Sequence, residues 1–305
     1  MKIFGLLRWR KEMKKIKLIS EFGLCGLKII FINILINLFK RKKYFELKYK
    51  IINKILIEYF DFEQSNYNVI DNKKYVFVFW WDGIENSPLL VRKCIESQKK
   101  FFNGYDKFIV LNKTNIKDYA DLNPIFYEKL NAGIITLAQF SDILRLYLLS
   151  HYNCYWIDAT IFISDVVTLD PKNIFTLKYK DDFHYVSKNR WTGFFIYSDK
   201  TYIYGYKFME KYWKKHNVLL DYFLIDYIIN SLYSNFGKFK QNIDENALNI
   251  DMYHLTNILF DEVDDNSFDK AIKEIKINKL NWKLKIPDEF LDNKKIIINR
   301  IMQSR

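Results

Sequence analysis

Seven consecutive residues without a charged side chain, Tyr75-Val76-Phe77-Val78-Phe79-Trp80-Trp81, end abruptly at Asp82-Gly83. A run of this composition reads as a buried strand that stops at a turn. A helix is expected next, with Ser87 as N-cap, Pro88 at the first helical position, and Leu90, Val91, Cys94, Ile95 and Phe101 at helical spacing. Lys107 to Asn112 reads as a second strand, with a short helix after Asn115. Pro124 to Leu130 reads as a helix closed by Gly133. Thr136 to Tyr152 is a helix with the stripe Leu137, Phe140, Leu144 and Leu148, and Tyr155 to Ile163 is an apolar strand with one acid, Asp158. Strands alternating with helices imply an α/β sheet, at least partly parallel. Beyond Asp170 the pattern loosens into helices near Tyr202 to His216 and Asp221 to Phe236, then a basic C-terminal tail.

Composition sets the outer bounds. Half of the 305 residues are hydrophobic and mean hydropathy is −0.19, which excludes chain-wide disorder and a polytopic membrane protein. Cys25, Cys94 and Cys154 are odd in number and far apart, which argues against a disulfide framework or a structural zinc site and favours a reducing compartment. No secretory signal pattern opens the chain, so a cytoplasmic location is expected.

The charge is more telling once located. Residues 1–54 hold 15 Lys and Arg against 3 Asp and Glu, and the remainder holds 33 against 33, so the whole formal +12 is N-terminal. Arg8, Arg10, Lys11, Lys14, Lys15, Lys17 and the cluster Lys40-Arg41-Lys42-Lys43 flank an apolar segment from Leu18 to Phe39, broken by Glu21 and Lys28. Its uninterrupted part, Ile29 to Phe39, is short for a span of roughly 20 residues. Two readings stand: peripheral attachment to an anionic membrane surface through residues 1–54, or a helical hairpin packed on the main domain. Nucleic acid is not the expected partner, because no recognition motif is present. Residues 1–60 are expected to form a basic helical segment and 61–305 a second domain, with the polar stretch Asp61 to Lys74 as linker.

Asp158 in an apolar strand needs a metal, a cation or hydrogen-bond donors, because an unpaired buried carboxylate costs several kcal/mol. Thr160, two residues on, can join it on one side. The plainer reading is an Asp at a strand end that caps a turn or pairs with an Arg. Asp142 and Arg145, i and i+3 on a helix, are close enough to touch. An open α/β sheet binds ligands at the carboxyl ends of its strands, where this helix and strand would bring both features.

Trp81-Asp82-Gly83 with Pro88 and Cys94-Ile95-Glu96-Ser97, then Ser141-Asp142-Ile143-Leu144-Arg145, then Trp156-Ile157-Asp158-Ala159-Thr160, resemble the bacterial capsular polysaccharide synthesis proteins. These are similar to glycosyltransferase family 32 and, more remotely, to the glucosyltransferase domains of large clostridial toxins. The resemblance covers about residues 70–285. It implies a GT-A type, Rossmann-like mixed sheet flanked by helices, preceded here by the N-terminal helical segment. It also implies a transferase that moves a hexose from a nucleotide diphosphate sugar to a lipid-linked capsular or other surface polysaccharide intermediate, with retention, at the cytoplasmic face of the membrane. The alternative is a non-catalytic membrane-associated assembly protein that keeps the fold.

By the same resemblance Asp142 and Arg145 hold the donor sugar, and Asp158 belongs to a DxD-like motif that ligates Mn²⁺ or Mg²⁺ at the diphosphate. Thr160 stands where that motif has its second acid, and Asn153-Cys154 where it has Gly-Gly. Asp221 and Asp226, in Asp221-Tyr222-Phe223-Leu224-Ile225-Asp226-Tyr227, are the candidate catalytic acids. Asn278-Lys279-Leu280-Asn281-Trp282-Lys283 matches a family segment, which makes Asn278 a metal or phosphate contact and Lys279 and Lys283 donor-binding cations. Trp80 or Trp81 is the candidate base-stacking residue, and Trp191 to Phe195 the candidate acceptor wall.

Overall fold

The computed structural model describes residues 2–62, 70–164, 174–179, 186–274, 276–284 and 293–303, with side chains described from residue 12 onward and not for 271–274. The side chains of Arg8, Arg10 and Lys11, and residues 63–69 of the expected linker, lie outside the described residues.

The chain begins with two helices, α1 (Lys2–Phe39) and α2 (Lys42–Leu56). Then follow β1 (Lys74–Phe79), α3 (Leu89–Phe101), β2 (Lys107–Leu111), α4 (Pro124–Asn131), α5 (Leu137–His151), β3 (Asn153–Ile157) and β4 (Ile161–Ile163). The second half holds β5 (Thr176–Lys178), β6 (Phe195–Tyr197), α6 (Tyr202–Lys215), α7 (Leu224–Asn235), α8 (Gly237–Asn246), β7 (Ala247–Asn249), α9 (His254–Asn257), α10 (Asp265–Glu274), β8 (Ile277–Lys279) and α11 (Ile297–Gln303).

The fold is mixed α/β. Six strands pair in the order β2-β1-β3-β6-β5-β7, with β1 parallel to β2 and β3, and β6 antiparallel to both β3 and β5. The apolar run in β1 is explained by two covered faces. Tyr75 and Phe77 join the large cluster with α5, α6 and α7, while Val76 and Val78 join Val91 and Ile95 of α3. The same alternation divides β3: Cys154 and Trp156 face the α5 side, Tyr155 and Ile157 the α3 side.

Local signals account for several boundaries. Thr136 and Gln139 form a reciprocal capping box at the start of α5. Asn123 caps α4 ahead of Pro124, and Gly133 after it takes φ 65°. Ser87 does not cap α3 as expected; its hydroxyl donates to the Ile84 carbonyl, and Pro88 is the cap residue.

Three further corrections matter for the site. The expected strand from Tyr155 to Ile163 is two strands in different sheets, split by a turn at Asp158–Thr160. The Ile161 N–H donates to the Asp158 carbonyl, and β4 pairs with β8 in a separate antiparallel ribbon. The expected basic tail is therefore structured through β8. Finally, α7 begins at Leu224, so Asp221 precedes the helix rather than sharing it with Asp226.

The N-terminal helices pack on the main body. Gly23 (φ 53°, ψ −131°) breaks α1 into two arms, and Gly26 sits where any side chain would collide with the Leu18 carbonyl. Leu18, Ile29, Ile52 and Leu56 are buried in the large core cluster. The Glu21 carboxylate lies 2.9 Å from His216 Nδ1 and accepts from the Asn217 N–H, and Phe22 stacks on the His216 ring at 4.5 Å.

Candidate functional site

Because residues two apart on an extended chain share a side, Asp158 falls on the same side as Trp156, the side covered by α5. The Trp156 Nε1–H donates to Asp158 Oδ1 at 3.1 Å. From α5, Arg145 lies over the Trp156 ring, 5.0 Å from its centroid, and its guanidinium forks between two acids. Nη2 donates to Asp158 Oδ1 at 3.3 Å, and Nη1 lies 3.2 Å from Asp142 Oδ1. The plainer reading of Asp158, a strand-end acid paired with an Arg, describes its position. The pair Asp142–Arg145 is joined to that strand end rather than facing solvent.

The other carboxylate oxygen has a different partner. Lys279 Nζ donates to Asp158 Oδ2 at 2.8 Å and to Thr160 Oγ1 at 2.8 Å, and lies 4.8 Å from the centre of the Phe194 ring. The lysine is held by its strand: its backbone N–H donates to the Met252 carbonyl, and the next N–H, of Leu280, donates to the Thr160 carbonyl. Burial alone would raise the Asp158 carboxyl; Lys279 and Arg145, with hydrogen bonds from Lys279 and Trp156, outweigh it and hold the group below the usual carboxylate range.

A loop closes this cluster. The Asp158 N–H donates to the Phe194 carbonyl at 2.8 Å, and a Cβ on Gly193 would stand 2.8 Å from Arg145 Nη1. The Trp191 Nε1–H donates to Asp226 Oδ1 at 3.0 Å. The segment Trp191 to Phe195, expected on the acceptor side, thus touches Arg145, Asp158, Lys279 and Asp226. Burial pushes the Asp142 carboxyl up to about 7, with Arg145 opposing and Asp158 and Asp226 adding to the rise. Burial likewise pushes Asp226 up to about 6, against the Trp191 hydrogen bond and the Arg145 charge.

The remaining sequence-predicted residues separate. Asp221 is ion-paired with Lys48 of α2, and its Oδ1 accepts from the Phe223 N–H at 2.8 Å. Asn278 neighbours Lys279 on β8 and therefore points to the other side; it is fully buried, and its Oδ1 accepts from the Leu255 N–H at 3.2 Å. Lys283 lies 5.4 Å from the centre of the Trp282 ring, and Trp282 packs edge-on to Trp80 at 5.4 Å. Trp81 is half-buried against Phe140 at 5.8 Å. The opposite, amino-terminal edge of the sheet carries a cavity of about 760 Å³ lined by Asp71, Tyr152, Asn153, Asp199 and Asn242, which gathers none of the expected site residues.

One residue here was not anticipated. Gln98 of α3 donates from Nε2 to the carbonyls of Asp158 (3.0 Å) and Ile161 (2.7 Å), fixing the turn that presents the acid. Its signal in the sequence is a polar residue in a helix whose neighbours Cys94 and Ile95 are buried.

The donor set fits a divalent cation poorly. At a diphosphate such an ion takes several of its six or so oxygens from phosphate and water, but it needs one or two carboxylates from the protein. Here one carboxylate has both oxygens engaged, one hydroxyl is bonded to an ammonium, and Asn278 points away. Among the described residues no three His, Cys, Asp or Glu side chains gather to hold a metal ion.

The family model of the capsular polysaccharide synthesis protein matches residues 28–299, a range that takes in every residue of this cluster. No curated protein matches the chain.

Proposed function

The chain belongs to the capsular polysaccharide synthesis protein family, and on that footing we propose that it is a glycosyltransferase. It moves a hexose, with retention, from a nucleotide diphosphate sugar to a lipid-linked capsular or other surface polysaccharide intermediate. The observation that carries this reading is the constellation of Asp142, Arg145, Asp158 and Lys279 at the carboxyl end of β3. Ligands of open α/β sheets bind at this end, and two fixed cations beside two hydrogen-bonding acids suit a sugar joined to a diphosphate. In this reading Asp142 and Arg145 hold the sugar and Lys279 faces the diphosphate. Asp226, held by Trp191, is the acid that contacts sugar or acceptor hydroxyls. Asp221, paired with Lys48, holds α2 in place.

The N-terminal hairpin supports attachment to the cytoplasmic face of the membrane. Leu24, Leu27, Phe31, Ile34 and Leu38 recur at intervals of three and four and are exposed, forming one apolar stripe beside the exposed cluster Lys40-Arg41-Lys42-Lys43. Glu12–Phe39 is long and apolar enough to cross a membrane by length and composition. The break at Gly23 leaves an arm, residues 24–39, of roughly 24 Å, short of a hydrocarbon core of about 30 Å. An arm lying in the anionic interface, apolar face down, matches these dimensions.

The test is nucleotide release from UDP-, GDP- and dTDP-sugars by the full chain and by Asp158→Asn. Release that vanishes in the variant supports the transferase and names its donor. Donor binding without release in the wild type would instead favour an assembly protein that keeps the fold.

A further inference from the structure

Glycosyl transfer from a nucleoside diphosphate sugar needs positive charge at the leaving diphosphate. The anomeric C–O bond breaks with its electron pair on the terminal phosphate oxygen. The acceptor hydroxyl forms the new C–O bond, and its proton passes to that phosphate oxygen. A carboxylate turn at a strand end commonly meets this demand by holding a divalent cation. Here the two positions that would hold it, Asp158 Oδ2 and Thr160 Oγ1, are bridged by a single ammonium at 2.8 Å from each. The replacement is built into the backbone: β8 pairs with β4, placing Lys279 opposite Ile161, one residue past the turn. An ammonium has three donors, so two contacts leave a third for a phosphate oxygen. The Arg145 guanidinium, 3.3 Å from the other oxygen of Asp158, is a second fixed cation beside it.

We infer that Lys279 takes the place of a divalent metal in this chain, so that Lys279 and Arg145 together neutralise the departing diphosphate and transfer is metal-independent. The inference rests on the transferase reading above and departs from the metal-assisted chemistry that the family resemblance implies. The substitution is internally consistent: Thr160, where a second acid would stand, is a neutral partner for a monovalent ammonium. One carboxylate balances one lysine, and a second would leave excess negative charge facing the phosphates.

Two measurements on the full chain test it. Nucleotide release from the accepted donor is measured in excess EDTA and in Mn²⁺ or Mg²⁺, and the affinity for the matching nucleoside diphosphate is measured by calorimetry under the same conditions. The wild type is expected to turn over and to bind within about twofold in all three. Lys279→Gln, checked for an unchanged melting profile, is expected to lose turnover by about 100-fold, the scale of removing one preorganised charge-stabilising group, and added metal is expected not to restore it. A wild-type rate that falls more than about tenfold in EDTA and returns with Mn²⁺, or a diphosphate bound only with metal, would overturn metal independence while leaving the transferase intact. Neither binding nor release of any nucleotide under any condition would overturn both readings.

Discussion

Gly193 approaches Arg145 so closely that a methyl group in place of its hydrogen would stand 2.8 Å from Nη1. Arg145 is 6% exposed and its guanidinium is held by Asp142 and Asp158, so it has little room to yield. Gly193→Ala is therefore expected to move the guanidinium by a few tenths of an ångström and to lower turnover by about 10- to 100-fold through misplacement. Nucleotide release and a thermal melt of the same variant check it, because a small change in melting temperature with a large loss of rate separates positioning from folding.

The raised Asp142 and Asp226 carboxyls make the charge of the cluster depend on pH. With both protonated, Arg145 and Lys279 face Asp158 alone; with both ionised, three carboxylates face two cations. Affinity of the wild type for a nucleoside diphosphate, taken relative to Asp142→Asn, is expected to fall as pH rises from 5.5 to 8, and the variant to bind about tenfold more tightly than wild type at pH 8, equal to about 1.4 kcal/mol. The ligand titrates alike in both proteins, so calorimetry on the pair isolates the enzyme's part.

The same group sets a sign for stability. A carboxyl whose pKa is about 7 in the fold contributes stability that is complete below the free value of about 4 and is lost as pH rises through 7. Asp142→Asn is expected to raise the melting temperature at pH 8 and to leave it nearly unchanged at pH 4.

Asp221 and Asp226 are expected to behave oppositely. Asp221 is 5% exposed and pairs with Lys48, so Asp221→Ala leaves a partly buried cation without its partner, at a cost of about 3 kcal/mol. Donor affinity is expected to survive in that variant. Asp226→Asn is expected to retain stability and lose turnover. Chemical denaturation and nucleotide release, run on both variants, decide the roles.

Phe31→Asp and Leu38→Asp place charge on the exposed stripe without touching the buried Leu18, Ile29, Ile52 and Leu56. Both are expected to shift the protein from pellet to supernatant in sedimentation with vesicles containing anionic phosphatidylglycerol, by about tenfold in partition for the pair. Deleting residues 1–54 is the poorer test, since it strips Ile52 from the core and Lys48 from Asp221.

Much of the fold was legible because its signals are local. The capping box at Thr136, Pro124 after Asn123, and the apolar β1 run each mark an element within a few residues. The break of α1 at Gly23 is not among the sequence expectations, which name only Glu21 and Lys28 as interruptions of the apolar stretch. The turn at Asp158 is legible only in the plainer reading of that acid as a strand end, because the apolar run continues through Ile163 and hides the break; Gln98, 60 residues away, supplies the bonds that fix it. Asp221 was read as helical because the apolar spacing continues behind it, whereas its side chain accepts from the Phe223 N–H and keeps it outside the helix. Asp142, Arg145, Asp158 and Lys279 were named from sequence and lie together. That Lys279 bridges Asp158 and Thr160 depends on the β4–β8 pairing, which no short-range pattern encodes.

Lys279 reaches Asp158 across 121 residues of chain. During synthesis the sheet formed by β1, β2 and β3 emerges long before β8, so the nascent protein has its acid and its arginine but not its lysine. The cluster of Asp142, Arg145, Asp158 and Lys279 is complete only when that last ribbon strand has been delivered. A translation product interrupted before it would also lack Leu280 and Ile296 to Ile298, which pack on Leu90 and Cys94 of α3, so the strand that completes the cluster is delivered with the last part of the core.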